Sequence, residues 1–199
     1  MTTPVQAVDQ VFWYILGISI VLLFGITAVM VYFVIRFRRS KNPVPSDIRD
    51  NYKLEIIWTV IPTLIALSMF YIGWTSYLGL RTVPEDAMEV LVEAQKYSWL
   101  FVYDNDKESE NELVVPQGKA IKLNITSVDV VHSFFLPAFR VKVDAVKGMP
   151  TYAWFLADEV GEYDIQCTEY CGVDHSAMVA KLRIVPPAEF EAWLAEEGN

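Results

Sequence analysis

Positive charge is scarce in the second half of this 199-residue chain, cysteine and histidine are rarer still, and two long stretches carry no formal charge at all. Each shortage excludes something. With 16 Lys and Arg against 25 Asp and Glu, a net charge of −9 argues against a nucleic-acid partner. Two cysteines allow at most one disulfide, and the lack of any C-x-x-C-H motif excludes a haem c attached to this chain. No internal repeat and no Gly/Ser-rich linker divides the sequence.

The charge-free stretches are Val11 to Ile35 and Ile56 to Leu80. At about 1.5 Å per residue, a helix of about 25 residues reaches about 37 Å, more than the roughly 30 Å hydrocarbon core of a bilayer. Residues 1–80 are therefore expected to form a transmembrane hairpin, with spans at about 11–35 and 56–80. Pro62 falls in the first two turns of the second run, where a missing backbone donor does least damage. Trp13, Tyr14, Trp74 and Tyr77 suit the membrane interfaces. The first run reads as a retained span rather than a signal peptide, because residues 1–10 hold no Lys or Arg and no A-x-A site follows. Arg36, Arg38, Arg39, Lys41, Arg49 and Lys53 between the runs place that loop in the cytoplasm, so both termini face outward.

Residues 81–199 are expected to be one outer domain with a single core. It holds 21 Asp and Glu against 10 Lys and Arg, a net −11. Ordinary solubility accounts for that balance, and so does attraction of a cationic protein partner. Apolar residues alternate at Val90 and Val92, at Ile121, Leu123 and Ile125, at Tyr163, Ile165 and Cys167, and at Ala180, Leu182 and Ile184, which predicts strands. Turn-rich pieces such as VPQGK (115–119) and DEVGE (158–162) between them give the rhythm of a β-sandwich or barrel. The charged stretch DNDKESENE (104–112) reads as a solvated hairpin loop. The tail from Pro187 spaces Phe190, Trp193 and Leu194 as a short closing helix.

The chemistry-bearing run is CTEYCGVDHSAM, Cys167 to Met178. Two cysteines outside a membrane ordinarily form a disulfide. Here they share a twelve-residue window with His175, one of only two histidines, and with Met178. Thiolate, thioether and imidazole donors together suit copper. The second histidine, His132 in VVHSFFLP, lies between strand-like segments, where a sandwich can bring it beside the cysteine loop.

With VHSFFLP, the pattern C-x-E-x-C-G-x-x-H-x-x-M, two N-terminal spans and LEIIWTVIP (54–62), nearly the whole chain resembles subunit II of cytochrome c oxidase. The resemblance implies a cupredoxin-like Greek-key β-barrel holding the binuclear copper centre CuA. Cys167 and Cys171 would bridge both coppers, His132 and His175 would each bind one, and Met178 and the backbone carbonyl of Glu169 would complete the shells. The Glu169 side chain would reach a magnesium or manganese ion shared with subunit I. Glu55 matches the acid at the mouth of a proton path into subunit I. KYSWLFVY (96–103) resembles the aromatic segment that receives electrons from a c-type cytochrome, with Tyr97 where the family places a Trp.

The expected role is thus electron transfer from a c-type cytochrome to haem in subunit I, for oxygen reduction to water coupled to proton transport. Subunit III is a further expected partner, and a bacterial-type cytoplasmic membrane the expected location. The CuA subunit of a nitric oxide reductase is the alternative within the superfamily, and a membrane-anchored copper-binding or delivery protein is the alternative from another class.

Overall fold

The structure, a computed structural model, describes residues 3–44, 47 and 49–196. It falls into two units, Asp9–Ser76 and a larger one that joins the residues up to Val8 to those from Tyr77 onward.

Helix α1 spans Pro4–Arg36 and α2 spans Tyr52–Arg81. Both start on local caps. At α1 the Thr3 hydroxyl accepts the Gln6 N–H while the Gln6 side chain accepts the Thr3 N–H, a reciprocal capping box with Pro4 at the first helical position. At α2 the Asn51 carboxamide oxygen accepts the Leu54 N–H at 3.1 Å. These caps lie outside the charge-free runs, so the helices are longer than the runs, 33 and 30 residues. The longer α2 also corrects the expectation for Pro62, which sits in the helix interior and deprives the Trp58 carbonyl of its usual amide partner.

The most apolar 18-residue windows of both helices have no buried residues, and apolar side chains exposed on every face are stable only in lipid. Within the Asp9–Ser76 unit, Ser68 Oγ donates to the Ile65 carbonyl and accepts the Tyr14 hydroxyl proton at 2.6 Å.

The domain that follows α2 is a sandwich of two five-stranded sheets. Its strands are β1 (Met88–Gln95), β2 (Ser98–Val102), β3 (Glu108–Glu110), β4 (Glu112–Pro116), β5 (Ala120–Ser127), β6 (His132–Leu136), β7 (Val141–Ala145), β8 (Thr151–Leu156), β9 (Gly161–Cys167) and β10 (Val179–Val185). One sheet has the order β3-β2-β1-β5-β8 and the other β4-β10-β9-β6-β7. The alternating residues point inward: Ile121, Leu123 and Ile125 face Leu182, Ile165 and Phe134 in a core with no solvent contact.

The charged stretch at 104–112 departs from expectation. Its Glu108–Glu110 part is the edge strand β3, paired with β2, where short length and charge keep the open edge from pairing with other chains. Lys107 is tied to the closing helix α3 (Pro187–Ala195): its ammonium donates to the carbonyls of Trp193 and Glu196 and lies 4.3 Å from the Trp193 ring centroid.

Candidate metal centre

The loop between β9 and β10 closes on itself, with the Cys167 N–H donating to the Met178 carbonyl at 3.2 Å. Strand β6 lies beside β9 with Phe134 opposite Cys167, and the Thr168 N–H donates to the Ser133 carbonyl. This register sets His132, the first residue of β6, against the start of the loop. Inside the loop, a 3-10 turn at His175–Ala177 brings His175 back toward Cys171 and leaves Met178 at the base of β10.

The donor atoms converge. Cys167 Sγ lies 3.8 Å from His132 Nδ1, 3.3 Å from the Glu169 carbonyl oxygen and 3.9 Å from Cys171 Sγ. Cys171 Sγ lies 3.5 Å from His175 Nδ1 and 3.8 Å from Met178 Sδ. His132, Cys167, Cys171 and Met178 are buried, and His175 is half-buried beneath the exposed ring of Tyr170. The sulfurs are free thiols, well beyond the roughly 2.05 Å of a disulfide bond. Two thiols, a thioether, two imidazoles and one carbonyl form a mainly soft donor set, which fits copper and does not fit magnesium or calcium.

Without a cation the site resists ionisation. Burial, and then the neighbouring Cys167, push the Cys171 thiol up to about 11, so metal binding must displace the Cys171 proton.

Asp129 organises the other side. Its Oδ1 lies 2.9 Å from His132 Nε2, its Oδ2 accepts the Lys96 N–H at 2.9 Å, and Oδ1 also accepts the Val130 N–H at 2.7 Å. Burial alone would raise this carboxyl, but hydrogen bonds from His132, Val130 and Lys96 outweigh it and hold it at about 2. An ionised Asp129 can only accept from Nε2, which turns Nδ1 toward the sulfurs. The spacing SVDVVH placed an acid three residues before the histidine, the one sequence signal for this role.

Tyr97 lies in the turn between β1 and β2, half-buried, while Trp99 and Phe101 are fully buried on one face of β2. Its hydroxyl oxygen accepts the Val173 N–H at 3.0 Å. The aromatic segment therefore touches the metal loop directly. Trp99 stands edge-on to Phe134 and 6.2 Å from the His132 ring, walling the site from the core side.

The other two expected residues are not drawn into this cluster. The Glu169 side chain is exposed, and only its backbone carbonyl faces the sulfurs. Glu55 is half-buried in the first turn of α2, in the separate Asp9–Ser76 unit.

Residues 88–185 match the family model described as cytochrome C oxidase subunit II, periplasmic domain, and residues 2–77 match its transmembrane domain. Among curated proteins, the chain is 27% identical to a probable cytochrome c oxidase subunit 2 of Rickettsia bellii, over 94% of this chain and 77% of that one. It is 27% identical to cytochrome c oxidase subunit 2 of Cereibacter sphaeroides, over 94% of this chain and 76% of that one. The chain spans 66% of the length of the corresponding Rickettsia felis protein. The solved periplasmic domain of subunit II of cytochrome oxidase (CoxB) of Bradyrhizobium japonicum is 33% identical, covering 57% of this chain and 94% of that domain with a TM-score of 0.55.

Proposed function

The chain belongs to the cytochrome c oxidase subunit II family, and from that premise we propose that it is the electron-accepting subunit of a membrane-bound terminal oxidase. It takes electrons from a c-type cytochrome at a binuclear copper centre and passes them to haem in subunit I, where oxygen is reduced to water with coupled proton transport. The observation that carries this reading is the convergence of His132, Cys167, Cys171, His175, Met178 and the Glu169 carbonyl from one loop and its neighbouring strand.

When bound, copper held by the Cys167 and Cys171 thiolates would supply a one-electron relay whose soft ligand set would change little between its two oxidation states. The chain supplies the rest. Cys167 and Cys171 give up their protons on loading, and their burial keeps water from the sulfurs. His132 is held in one tautomer by Asp129, and Met178 closes the core side. The exposed apolar side chains of Tyr170 and Val173, beside the half-buried Tyr97, form the surface on which a haem edge would dock. The acidic domain steers a basic cytochrome toward it.

On this reading the Glu169 carboxylate reaches a magnesium or manganese ion at the border with subunit I, and Glu55 stands at the mouth of a proton path. Subunit III completes the core complex, the hairpin lies in a bacterial-type cytoplasmic membrane, and the copper domain faces outward. Metal analysis of the purified chain tests the assignment: it should bind two coppers, and a stoichiometry of one in fully loaded protein would reject it.

A further inference from the structure

We propose that the Lys96–Tyr97 turn braces together the two segments that position the copper-ligand histidines, the Asp129 loop before His132 and the Cys171–His175 loop, with Tyr97 as a positioning residue of the latter. On one side the Lys96 N–H donates to Asp129 Oδ2, and the other oxygen of that carboxylate holds His132 Nε2, both at 2.9 Å. On the other side the Tyr97 hydroxyl accepts the N–H of Val173, midway between Cys171 and His175. The turn is itself anchored, because β1 and β2 pair up to Gln95 opposite Ser98 and the Gln95 side chain donates to Ser98 Oγ at 3.1 Å.

Gly172 is what lets the brace close. Its φ is +144°, and a Cβ built there would stand 2.4 Å from the Tyr97 hydroxyl oxygen and 3.2 Å from its ring. The phenol therefore rests on bare backbone, one residue from Cys171. The same glycine carbonyl accepts the His175 N–H at 3.2 Å, so a latch at Val173 acts on the turn that aims His175. The Val173 side chain is 90% exposed, and Tyr97 is the group that takes its amide out of water.

The hydroxyl is chemically specific for this. An indole offers a donor and no acceptor, so a tryptophan in this place cannot receive an amide proton through its ring nitrogen. Tyr97, on the face proposed for the electron donor, thus also sets the geometry of the metal loop behind it.

The test compares wild type with Tyr97→Phe, which keeps the ring and loses the acceptor, in the full-length chain in detergent. In reduced, copper-free protein the Val173 amide should exchange with deuterium on the order of fivefold faster, the equivalent of about 1 kcal/mol for one hydrogen bond. In copper-loaded protein, release to a chelator should accelerate by a similar factor, with an altered hyperfine splitting. Gly172→Ala should speed Val173 exchange as well, by pushing the phenol away. Unchanged Val173 exchange in Tyr97→Phe would overturn the brace, and faster exchange with unaltered copper release and splitting would overturn the positioning role. The second readout rests on the copper assignment and the first does not, so failure of one is distinguishable from failure of the other.

Discussion

Asp129 holds His132 by the ring nitrogen that faces away from the sulfurs, with Oδ1 2.9 Å from Nε2 while Nδ1 is turned to Cys167 Sγ. The carboxylate thus sets tautomer and ring orientation together, as outer partners of metal-bound histidines do. Replacing Asp129 by Ala leaves a fully buried imidazole free to flip or to carry its proton on the wrong nitrogen. We expect copper affinity to fall by about 10- to 100-fold. Competition with a chelator of known affinity checks it, and Asp129→Asn, which keeps an acceptor, should lose less.

Lys107 links the charged hairpin to the far end of the chain. Its ammonium donates to the carbonyls of Trp193, in the last turn of α3, and of Glu196, just past its end, and lies over the Trp193 ring, where a cation also complements the negative end of the helix dipole. Lys107→Met should keep most of the stem packing and lose the charge, destabilising the domain by about 1 kcal/mol, with α3 fraying first. Thermal unfolding followed by Trp193 fluorescence checks this, and an unchanged transition would show that the capping contributes nothing.

Glu89 gives the domain a small acid sensitivity. Hydrogen bonds from Asn124 Nδ2 at 2.7 Å and Lys122 Nζ at 3.0 Å hold its carboxyl below the usual range. A folded value below the unfolded one means stability that is fully present above the unfolded pKa of about 4.3 and lost as pH falls through the folded value. The side chain is about half exposed, so after solvent screening the contribution is at most about 0.5 kcal/mol. Wild type should exceed Glu89→Gln by that margin at neutral pH, and the difference should vanish in acid below the folded pKa. A difference that grows with acid would contradict the sign.

The strands were legible because one face of each is buried. Ile121, Leu123 and Ile125 alternate in the sequence for the same reason that all three lose their solvent contact. The cysteine run was legible because it lies in a single hairpin loop, so ligand spacing survives folding as ligand proximity. His132 was within reach only through the family pattern, since the pairing of β6 with β9 is what brings it to Cys167. The contacts of Lys96 with Asp129 and of Tyr97 with Val173 join residues far apart in the chain and depend on strand order, so no local pattern announces them. Charge density made Glu108–Glu110 read as loop, although an edge strand tolerates charge on both faces. Asp9 lies inside α1, and Lys53 and Glu55 lie inside α2, so a criterion based on uncharged runs stopped short of Pro4 and Tyr52.

If His132 and the Cys167–Met178 loop hold two coppers sharing one electron, electron paramagnetic resonance of the copper-loaded, one-electron-oxidised chain will register it. Delocalisation over two equivalent copper nuclei predicts a seven-line hyperfine pattern, lost in Cys167→Ser. A four-line spectrum from a single localised copper, in protein carrying its full complement of metal, would contradict it.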